Sequence, residues 1–289
     1  KYDIHHKQTN QKTGQLTATT PIEVLFEGVD IETYFPKPST NIDLSSIKEQ
    51  FVFLFVGHWL NGVLGEDRKN VGWMIKAFCE TFKNKNNAPA LLLKAQTAGS
   101  SIMDRERMLD KIDSIRKTIR GKCPNVYLMH GEVTDSEMNN LYNHPKVKAM
   151  VSFTKGEGFG RPLLEFSMVK KPIIASGWSG QTDFLDKQLS YLVGGDLKKI
   201  HKSAVQKNSS WFQPNDQEAS KAMKSVIKHY KQLLINAKKQ GTLNRKNFSL
   251  EGMQELLDKY LTQYLPEFPK QIDLTLPKLE LPKLEKINE

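Results

Sequence analysis

The stretch "FTKGEGFGRPLLEFSMVKKPIIASGWSG" (153–180) is the part of the chain richest in closely spaced glycines and carboxylates. Three glycines fall within five residues, and Glu157 lies among them. A second glutamate, Glu165, follows eight positions later, inside a helix pattern that has Pro162 near its first position. Proline is common there because the first helical N–H has no partner in any case. The stretch therefore predicts a glycine turn between a strand and a helix, with carboxylates in both.

The pattern of strand and helix repeats outward from this stretch. Apolar runs of five to seven residues alternate with amphipathic segments between residues 51 and 193, as expected for strands buried on both faces. The predicted strands are 51–57, 90–95, 125–129, 148–153, 172–176 and 189–193. The predicted helices are 70–82, one carrying the stripe Met108, Ile112, Ile115 and Ile119, 134–142 and 161–169. This alternation predicts an α/β fold, a Rossmann-like doubly wound parallel sheet.

The flanking segments differ from this pattern. Residues 1–20 are polar and indicate a linker or an edge hairpin, and "PIEVLFEGVD" (21–30) indicates a short strand. Two amphipathic helices are predicted at 215–239 and 248–265. We therefore expect one domain over 21–265. The tail, 266–289, repeats Leu-Pro-Lys-Leu-Glu without a core pattern and is expected to be extended or disordered.

Composition narrows the class of protein. The longest apolar run, "FVFLFV" (51–56), is far too short to span a bilayer, and residues 1–20 lack an apolar signal segment. The two cysteines, Cys79 and Cys123, are far apart in sequence and form no disulfide or metal pattern. These features favour a cytoplasmic protein.

The charge is concentrated in one segment. The formal net charge is +10, and residues 197–247 alone hold twelve Lys or Arg against Asp216 and Glu218. A solvated helix face is one interpretation, and attraction to an anionic partner, such as a membrane surface or another polyanion, is the other. The second interpretation predicts a peripheral membrane location.

The glycine turn has a chemical interpretation. Ligands of open parallel sheets bind beyond the carboxyl ends of the strands, where free N–H groups at a helix start attract anions. Glycines allow a phosphate to approach the backbone closely. Glu157 and Glu165 would repel a phosphate, but carboxylates suit the vicinal hydroxyls of a ribose or hexose. One ligand combines all these groups, a nucleotide diphosphate sugar.

At this point the sequence resembles a known family. "GEGFGRPLLE" (156–165) places seven residues between two glutamates and looks like the paired-glutamate motif of retaining GT-B glycosyltransferases, the family 4-like group. Similar motifs occur in the family's order at 24–36, 55–78, 125–142 and 171–185. The likeness covers about residues 20–195 and corresponds to the family's C-terminal, donor-binding domain.

The resemblance implies roles for the matching residues. Glu165 would hold the ribose hydroxyls, and Glu157 with the N–H groups of Phe159 and Gly160 would hold the donor sugar. Lys69 and Arg68 would neutralise the leaving diphosphate. The further donor-binding residues that it implies are Gly57, His58, Gly158 and Arg161, and weaker candidates are Thr154, Ser179, Gly180, His130 and Glu132. The sequence has no Asp-x-Asp pair, so no metal and no cofactor is expected.

Two departures from the family bear on function. His58 stands where the family has arginine after the first strand's glycine. The family also has an N-terminal Rossmann domain that binds the acceptor, and this chain starts near the inter-domain linker. The expected function is thus the donor-binding half of a retaining hexosyltransferase, with an N-terminal Rossmann domain as partner and an unknown acceptor.

Other functional classes make different sequence predictions. A non-catalytic nucleotide-sugar-binding or scaffold module is the alternative that the missing acceptor half favours. A dinucleotide-dependent oxidoreductase needs Gly-x-Gly-x-x-Gly after the first strand, and "GHWLNG" (57–62) lacks that spacing. A pyridoxal-phosphate phosphorylase would need a cofactor lysine that the pattern does not place.

Overall fold

A computed structural model describes residues 2–5, 12–16, 20–60, 64–97, 99–200 and 209–266. Its strands are β1 (Tyr2–His5), β2 (Lys12–Leu16), β3 (Val52–His58), β4 (Ala90–Gln96), β5 (Val126–Met129), β6 (Val147–Ser152), β7 (Ile173–Ser176), β8 (Tyr191–Val193), β9 (Gly195–Lys199) and β10 (Ser210–Pro214). Its α-helices are α1 (Val71–Phe82), α2 (Ile102–Lys117), α3 (Asp135–Asn143), α4 (Arg161–Met168), α5 (Asp216–Lys228), α6 (Tyr230–Asn247) and α7 (Leu250–Tyr264). A short 3₁₀ helix covers Gly180–Asp183.

Six strands form the parallel sheet that the sequence predicts, in the order β5-β4-β3-β6-β7-β8. Every predicted strand between 51 and 193 is present to within two residues at either end. The chain builds outward from β3 to β5, then returns to the other side of β3 with β6. This reversal opens a crevice at the carboxyl ends of β3 and β6, where open α/β sheets bind their ligands.

The sheet is buried on both faces because its strands are apolar at consecutive positions. Phe53 and Phe55 of β3 pack in one core layer, with residues of α1, α2 and α5. Val52 and Leu54 point to the opposite layer, with residues of α3 and α4. Helix α3 begins with a capping box, in which the Thr134 hydroxyl and the Glu137 carboxylate each accept from the other's backbone N–H.

Two expectations about the flanks of the sheet were wrong, and one pair of strands was not predicted. Residues 21–28 form no strand, and Val29 makes only an isolated parallel bridge to Ser249. The single helix predicted at 215–239 is two helices, α5 and α6, separated at His229. The antiparallel ladder of β9 and β10 was not predicted. Cys79 and Cys123, distant in sequence, are free thiols that meet in one core layer, with Cys79 inside it and Cys123 packed against it.

The compact unit that contains the sheet is Val24–Leu256, and a second unit comprises Lys1–Glu23 and Leu257–Glu289. Within the second unit, β1 and β2 pair antiparallel, which is the edge-hairpin alternative for the N-terminus. Residues 267–289, almost all of the tail expected to be extended, lie outside the described residues. Across the ranges given above, the structure contains no helix long and apolar enough to cross a membrane.

Candidate functional site

The turn before α1 holds the two candidate cations at the sheet's carboxyl edge. The Asp67 carboxylate accepts from the backbone N–H groups of Asn70, at 3.1 Å, and Val71, at 2.8 Å. Asn70 has a left-handed backbone with φ of 57°, and its side-chain amide donates to the Phe153 carbonyl over 3.1 Å. These contacts fasten the turn to the end of β6. Arg68 and Lys69 therefore lie in the turn before α1, not in its first turn.

Glu157 joins this turn to the glycine loop. Its Oε1 lies 2.5 Å from Lys69 Nζ and its Oε2 lies 3.1 Å from Arg68 Nη1. Arg68 also donates to the Gly156 carbonyl. The Glu157 side chain is only 9% exposed, and Lys69 is 17% exposed, whereas Arg68 is 46% exposed. The contact with Lys69 is thus shielded from water and fixed, and the one with Arg68 is open to solvent and weaker.

The backbone of Glu157 is held by the turn that follows β7. Its N–H donates to Ser179 Oγ over 3.1 Å, and Ser179 Oγ donates to the Glu157 carbonyl over 2.5 Å. The N–H of Gly180 donates to the same carbonyl over 3.2 Å. Ser179 and Gly180, weaker candidates for ligand contact, thus support Glu157. Thr154 also bonds backbone, donating to the carbonyls of Arg68 and Gly156.

The start of α4 offers free donors beside this cluster. Gly160 precedes the helix with φ of 98°, a conformation that favours glycine. Of the acceptors that the structure describes, none is within hydrogen-bond distance of the backbone N–H groups of Phe159, Gly160 and Arg161. Pro162 has no N–H. The loop of Gly158, Phe159 and Gly160 therefore ends in donors that can bind an anion or a hydroxyl.

A cavity of about 610 Å³ opens at the same edge of the sheet, a volume typical of small-molecule sites. Of the predicted donor-binding residues, Gly57, His58, Arg161 and Glu165 line it. His58 Nδ1 lies 3.2 Å from the Thr97 carbonyl. Glu157, Lys69 and Arg68 are not among the lining residues. The structure therefore separates the predicted site into a cavity and an ion cluster.

Glu165 is buried in the wall of the cavity. It is the fifth residue of α4, so its carboxylate faces the cavity from the second helical turn rather than from the helix start. Arg161 Nε donates to Glu165 Oε1 over 2.9 Å, and the Tyr142 hydroxyl donates to Oε2 over 3.1 Å. Burial raises the pKa of Glu165 above its ordinary value, and the bonds from Arg161 and Tyr142 oppose that shift. Burial and the nearby Glu165 charge raise the pKa of Tyr142.

The opposite wall follows the ends of β4 and β5. Lys94 is buried and donates to the Gly131 carbonyl, and burial lowers its pKa while the charge of Glu132 opposes the shift. Glu132, a weak candidate, lines the cavity. His130, the other weak candidate on this wall, does not line the cavity. Its Nε2 lies 3.7 Å from Asp104 Oδ2.

Several residues of the cavity wall were not predicted as site residues, among them the polar Tyr34, Tyr142 and Asp135. Tyr34 and Tyr142 line the cavity beside Glu165, and the Tyr34 hydroxyl donates to Asp135 over 3.0 Å. Asp135 and Tyr142 lie in the motif at 125–142 and Tyr34 lies in the motif at 24–36, but neither motif assigned these side chains a role. The sequence contains no spacing that relates Tyr34 to Glu165.

The solved structures with a similar fold include glycosyltransferases. The C-terminal domain of the group 1 glycosyl transferase LpcC from Francisella tularensis has a TM-score of 0.54 at 15% identity, over 77% of this chain and 100% of that domain. Sucrose-phosphate synthase from Thermosynechococcus elongatus has a TM-score of 0.57 at 14% identity, over 83% and 52% of the two chains. Anabaena HepE in complex with UDP and glucose has a TM-score of 0.59 at 14% identity, over 83% and 57%.

The fold is that of a GT-B glycosyltransferase C-terminal domain. This confirms the Rossmann-like fold expected from the alternation of strands and helices, and the resemblance to the C-terminal domain of GT-B glycosyltransferases. The chain spans just over half the length of the synthase and of HepE. No protein-family model and no curated protein matches the sequence.

Proposed function

We propose that this chain binds a nucleotide diphosphate sugar and is the donor-binding half of a hexosyltransferase that retains the anomeric configuration. One observation carries the proposal. The two glutamates of a single loop and helix occupy different environments at the ligand-binding edge of the sheet. Glu165 faces a cavity, and Glu157 lies between two cations. The GT-B fold and the UDP bound in HepE are consistent with this assignment.

Glu165 is suited to a vicinal diol because half of its acceptor capacity is free. A carboxylate has about four lone-pair positions, two on each oxygen. Arg161 and Tyr142 each use one position, on different oxygens. One acceptor position therefore remains on each oxygen, which matches the two hydroxyls of a ribose. We assign the cavity to the nucleoside on this basis.

The ion cluster is suited to the reacting end of the donor. In the proposed reaction the bond between the anomeric carbon and the diphosphate breaks, and the acceptor oxygen attacks the same face of the sugar. The departing phosphate oxygen takes the acceptor's proton, so no protein nucleophile is needed. Lys69 and Arg68 stabilise the developing diphosphate charge, together with the free N–H of Arg161 at the start of α4. Glu157 and the Phe159 and Gly160 N–H groups hold the sugar hydroxyls.

The donor is proposed to bind without a divalent metal or a cofactor, since basic side chains and the helix start supply the positive charge. The test is calorimetric titration of the chain with UDP, GDP and ADP, with and without EDTA. At least one nucleotide should bind equally well in both conditions, and Glu165→Ala should weaken it because two hydrogen bonds to a charged group, each worth about 1.5–3 kcal/mol, are lost. Binding abolished by EDTA would contradict the metal-free site.

Transfer is proposed to need an acceptor domain beyond these residues, as the N-terminal Rossmann domain of the family would provide. Holding both substrates in line can supply up to about 7–11 kcal/mol of barrier reduction. Labelled nucleotide sugar should therefore be transferred only when such a domain is supplied, and NMR of the product should show the donor's anomeric configuration. Donor binding without transfer under either condition would favour the scaffold alternative.

The proposed location is the cytoplasm, peripheral to an anionic membrane surface. Three lysines of α5, Lys221, Lys224 and Lys228, line one groove together with His229 and a single carboxylate, Asp216. Their spacing of three and four residues places them on one side of the helix. This basic surface supports contact with acidic lipids, for which each lysine contributes about 1 kcal/mol.

A further inference from the structure

An exposed tryptophan lies at the ligand-binding edge, beside the proposed sugar site. Trp178 follows β7 after a single glycine, and 43% of its surface is exposed. The next residue is Ser179, whose hydroxyl makes both hydrogen bonds to the Glu157 backbone. The indole is thus one residue away from the clamp that positions Glu157. It is not a lining residue of the nucleoside cavity.

The turn that carries Trp178 is strained. Ser179 has φ of 75° and ψ of −163°, a region in which residues other than glycine are rare and which costs about 1–3 kcal/mol. Surrounding bonds hold the strain in place. Besides the two bonds to Glu157, the Ser179 carbonyl accepts from the Thr182 N–H over 2.9 Å and from the Thr182 hydroxyl over 2.7 Å. Such strain persists where the surrounding structure fixes one conformation. Because these bonds fix the backbone of Ser179, they also restrain the backbone of Trp178, the residue before it.

The ring of Trp178 is also supported from one side. It stacks on Phe212 of β10 with centroids 5.9 Å apart and an angle of 6° between the planes. Phe212 is buried, and its N–H donates over 3.1 Å to the carbonyl of Lys155, two residues before Glu157. The β9–β10 ladder and the glycine loop therefore hold Phe212, and Phe212 holds the indole. A preorganised ring loses little entropy when a ligand stacks on it.

We propose that Trp178 is a stacking platform for a saccharide ring at the sugar end of the donor site. A pyranose has one face of C–H groups, which complements the electron-rich face of an indole. The Glu157 cluster is linked to Trp178 through Ser179 on one side and through Phe212 and Lys155 on the other, and it suits the hydroxyls of the same sugar. This inference rests on the proposed function, because it is Glu157 that marks the sugar end. The ring can come from the donor sugar or from a saccharide acceptor.

The test follows the indole N–H resonances of the four tryptophans by NMR, with Trp178 and Trp211 assigned from Trp178→Phe and Trp211→Phe. The donor probes are UDP, GDP, UDP-glucose, UDP-N-acetylglucosamine and GDP-mannose. The acceptor probes are maltose, cellobiose and mannobiose, added to nucleotide-saturated protein. We expect at least one sugar-bearing probe, and neither free nucleotide, to shift the Trp178 resonance.

Variants then separate stacking from mere proximity. Trp178→Ala should lower the affinity for the sugar-bearing probe that shifts Trp178 by about fivefold and leave the affinity for free nucleotide unchanged. The affinity of Trp178→Phe for the same probe should stay within about twofold of the parent. Trp211→Phe is the matched control and should change neither the affinity for the sugar-bearing probe nor the affinity for free nucleotide. If nucleotide binds but no sugar probe shifts Trp178, or if Trp178→Ala binds the probe as tightly as the parent, the platform is refuted. Absence of nucleotide binding would refute the proposed function instead.

Discussion

At the scale of single residues, Glu165 is subject to two opposing influences. Burial favours its protonated form, and the bonds from Arg161 and Tyr142 favour its charged form, with burial dominant. Its folded pKa therefore lies above the ordinary value of 4.5. As pH rises through that value the unfolded chain ionises first, so the free energy of unfolding falls until the pH passes the folded pKa.

Glu165→Gln cannot ionise, which gives a pH-dependent prediction. The stability of this variant relative to the parent should rise between about pH 4 and about pH 7, as the parent loses stability across that window. Urea denaturation at both pH values measures the difference. Tyr142→Phe should act in the opposite direction, because removing a bond to the charged form raises the pKa of Glu165 further. A pH-independent difference for Glu165→Gln would show that burial of the carboxylate does not dominate.

Glu157 should discriminate between a nucleotide and a nucleotide sugar. Glu157→Gln frees Lys69 and Arg68 from a competing carboxylate, so UDP should bind as tightly or more tightly than to the parent. The gain in affinity from the attached sugar should fall, since a hydrogen bond to a charged group is worth about 1.5–3 kcal/mol. Lys69→Gln is the matched comparison and should weaken nucleotide and nucleotide sugar together. Calorimetry measures the affinity of each variant for UDP and for the UDP-sugar that binds. If Glu157→Gln lost equal affinity for UDP and for the UDP-sugar, the sugar role of Glu157 would be contradicted.

Sequence reasoning found these residues in separate motifs but could not join them. Lys69 and Glu157 are 88 positions apart, and only the adjacency of β3 and β6 brings their turns together. The serine at position 179 was expected only to make a turn or touch a ligand. Its strained backbone conformation and its hydrogen bonds to the Glu157 backbone depend on the contact between the turn after β7 and the glycine loop, so no local sequence pattern indicates them.

At the scale of elements, the central strands were predictable because burial on both faces requires continuous apolar runs. The break between α5 and α6 was not, since "KSVIKHYKQLL" (224–234) contains neither glycine nor proline. α6 packs on α4 and on the end of the 3₁₀ helix through buried polar residues rather than an apolar stripe. Gln240 donates to the Phe184 carbonyl over 2.7 Å, and Asn244 donates to Ser167 Oγ over 2.8 Å. Polar residues on a packed face do not register in a search for hydrophobic periodicity.

The contact of α6 with α4 depends on the absence of a side chain at Gly241. A Cβ there would lie 2.4 Å from the Ser167 carbonyl oxygen, which is backbone and cannot move alone. Gly241→Ala should therefore lower the free energy of unfolding by about 1–3 kcal/mol. Gly252→Ala is the matched control, because a Cβ in α7 meets nothing closer than 3.4 Å and alanine favours helix by about 1 kcal/mol. Denaturant titration of both should give shifts of opposite sign, and a neutral Gly241→Ala would show that the helices can separate without cost.

At the scale of the whole molecule, the net charge of +10 has a location as well as a magnitude. Residues 197–247 account for it in sequence, and in the structure Lys221, Lys224 and Lys228 line one groove on α5. If only the net charge mattered, the protein would bind any polyanion, and its affinity would depend on the number of lysines and not on their positions. A surface built for a membrane should respond to which lysines are removed.

The lysine groove therefore predicts a position-dependent interaction with anionic vesicles. The chain should cosediment with vesicles of phosphatidylcholine and phosphatidylglycerol, but not with phosphatidylcholine alone, and added salt should release it because the attraction is screened over about 10 Å at 0.1 M. Replacing Lys221, Lys224 and Lys228 by glutamine should cost about 3 kcal/mol, or about 100-fold in partitioning, at about 1 kcal/mol per lysine. The control replaces three exposed lysines outside α5, Lys85, Lys117 and Lys122, and removes the same charge. Equal losses in the two triple variants would mean that the vesicles sense net charge only, and the lysines of α5 would then be an ordinary solvated face.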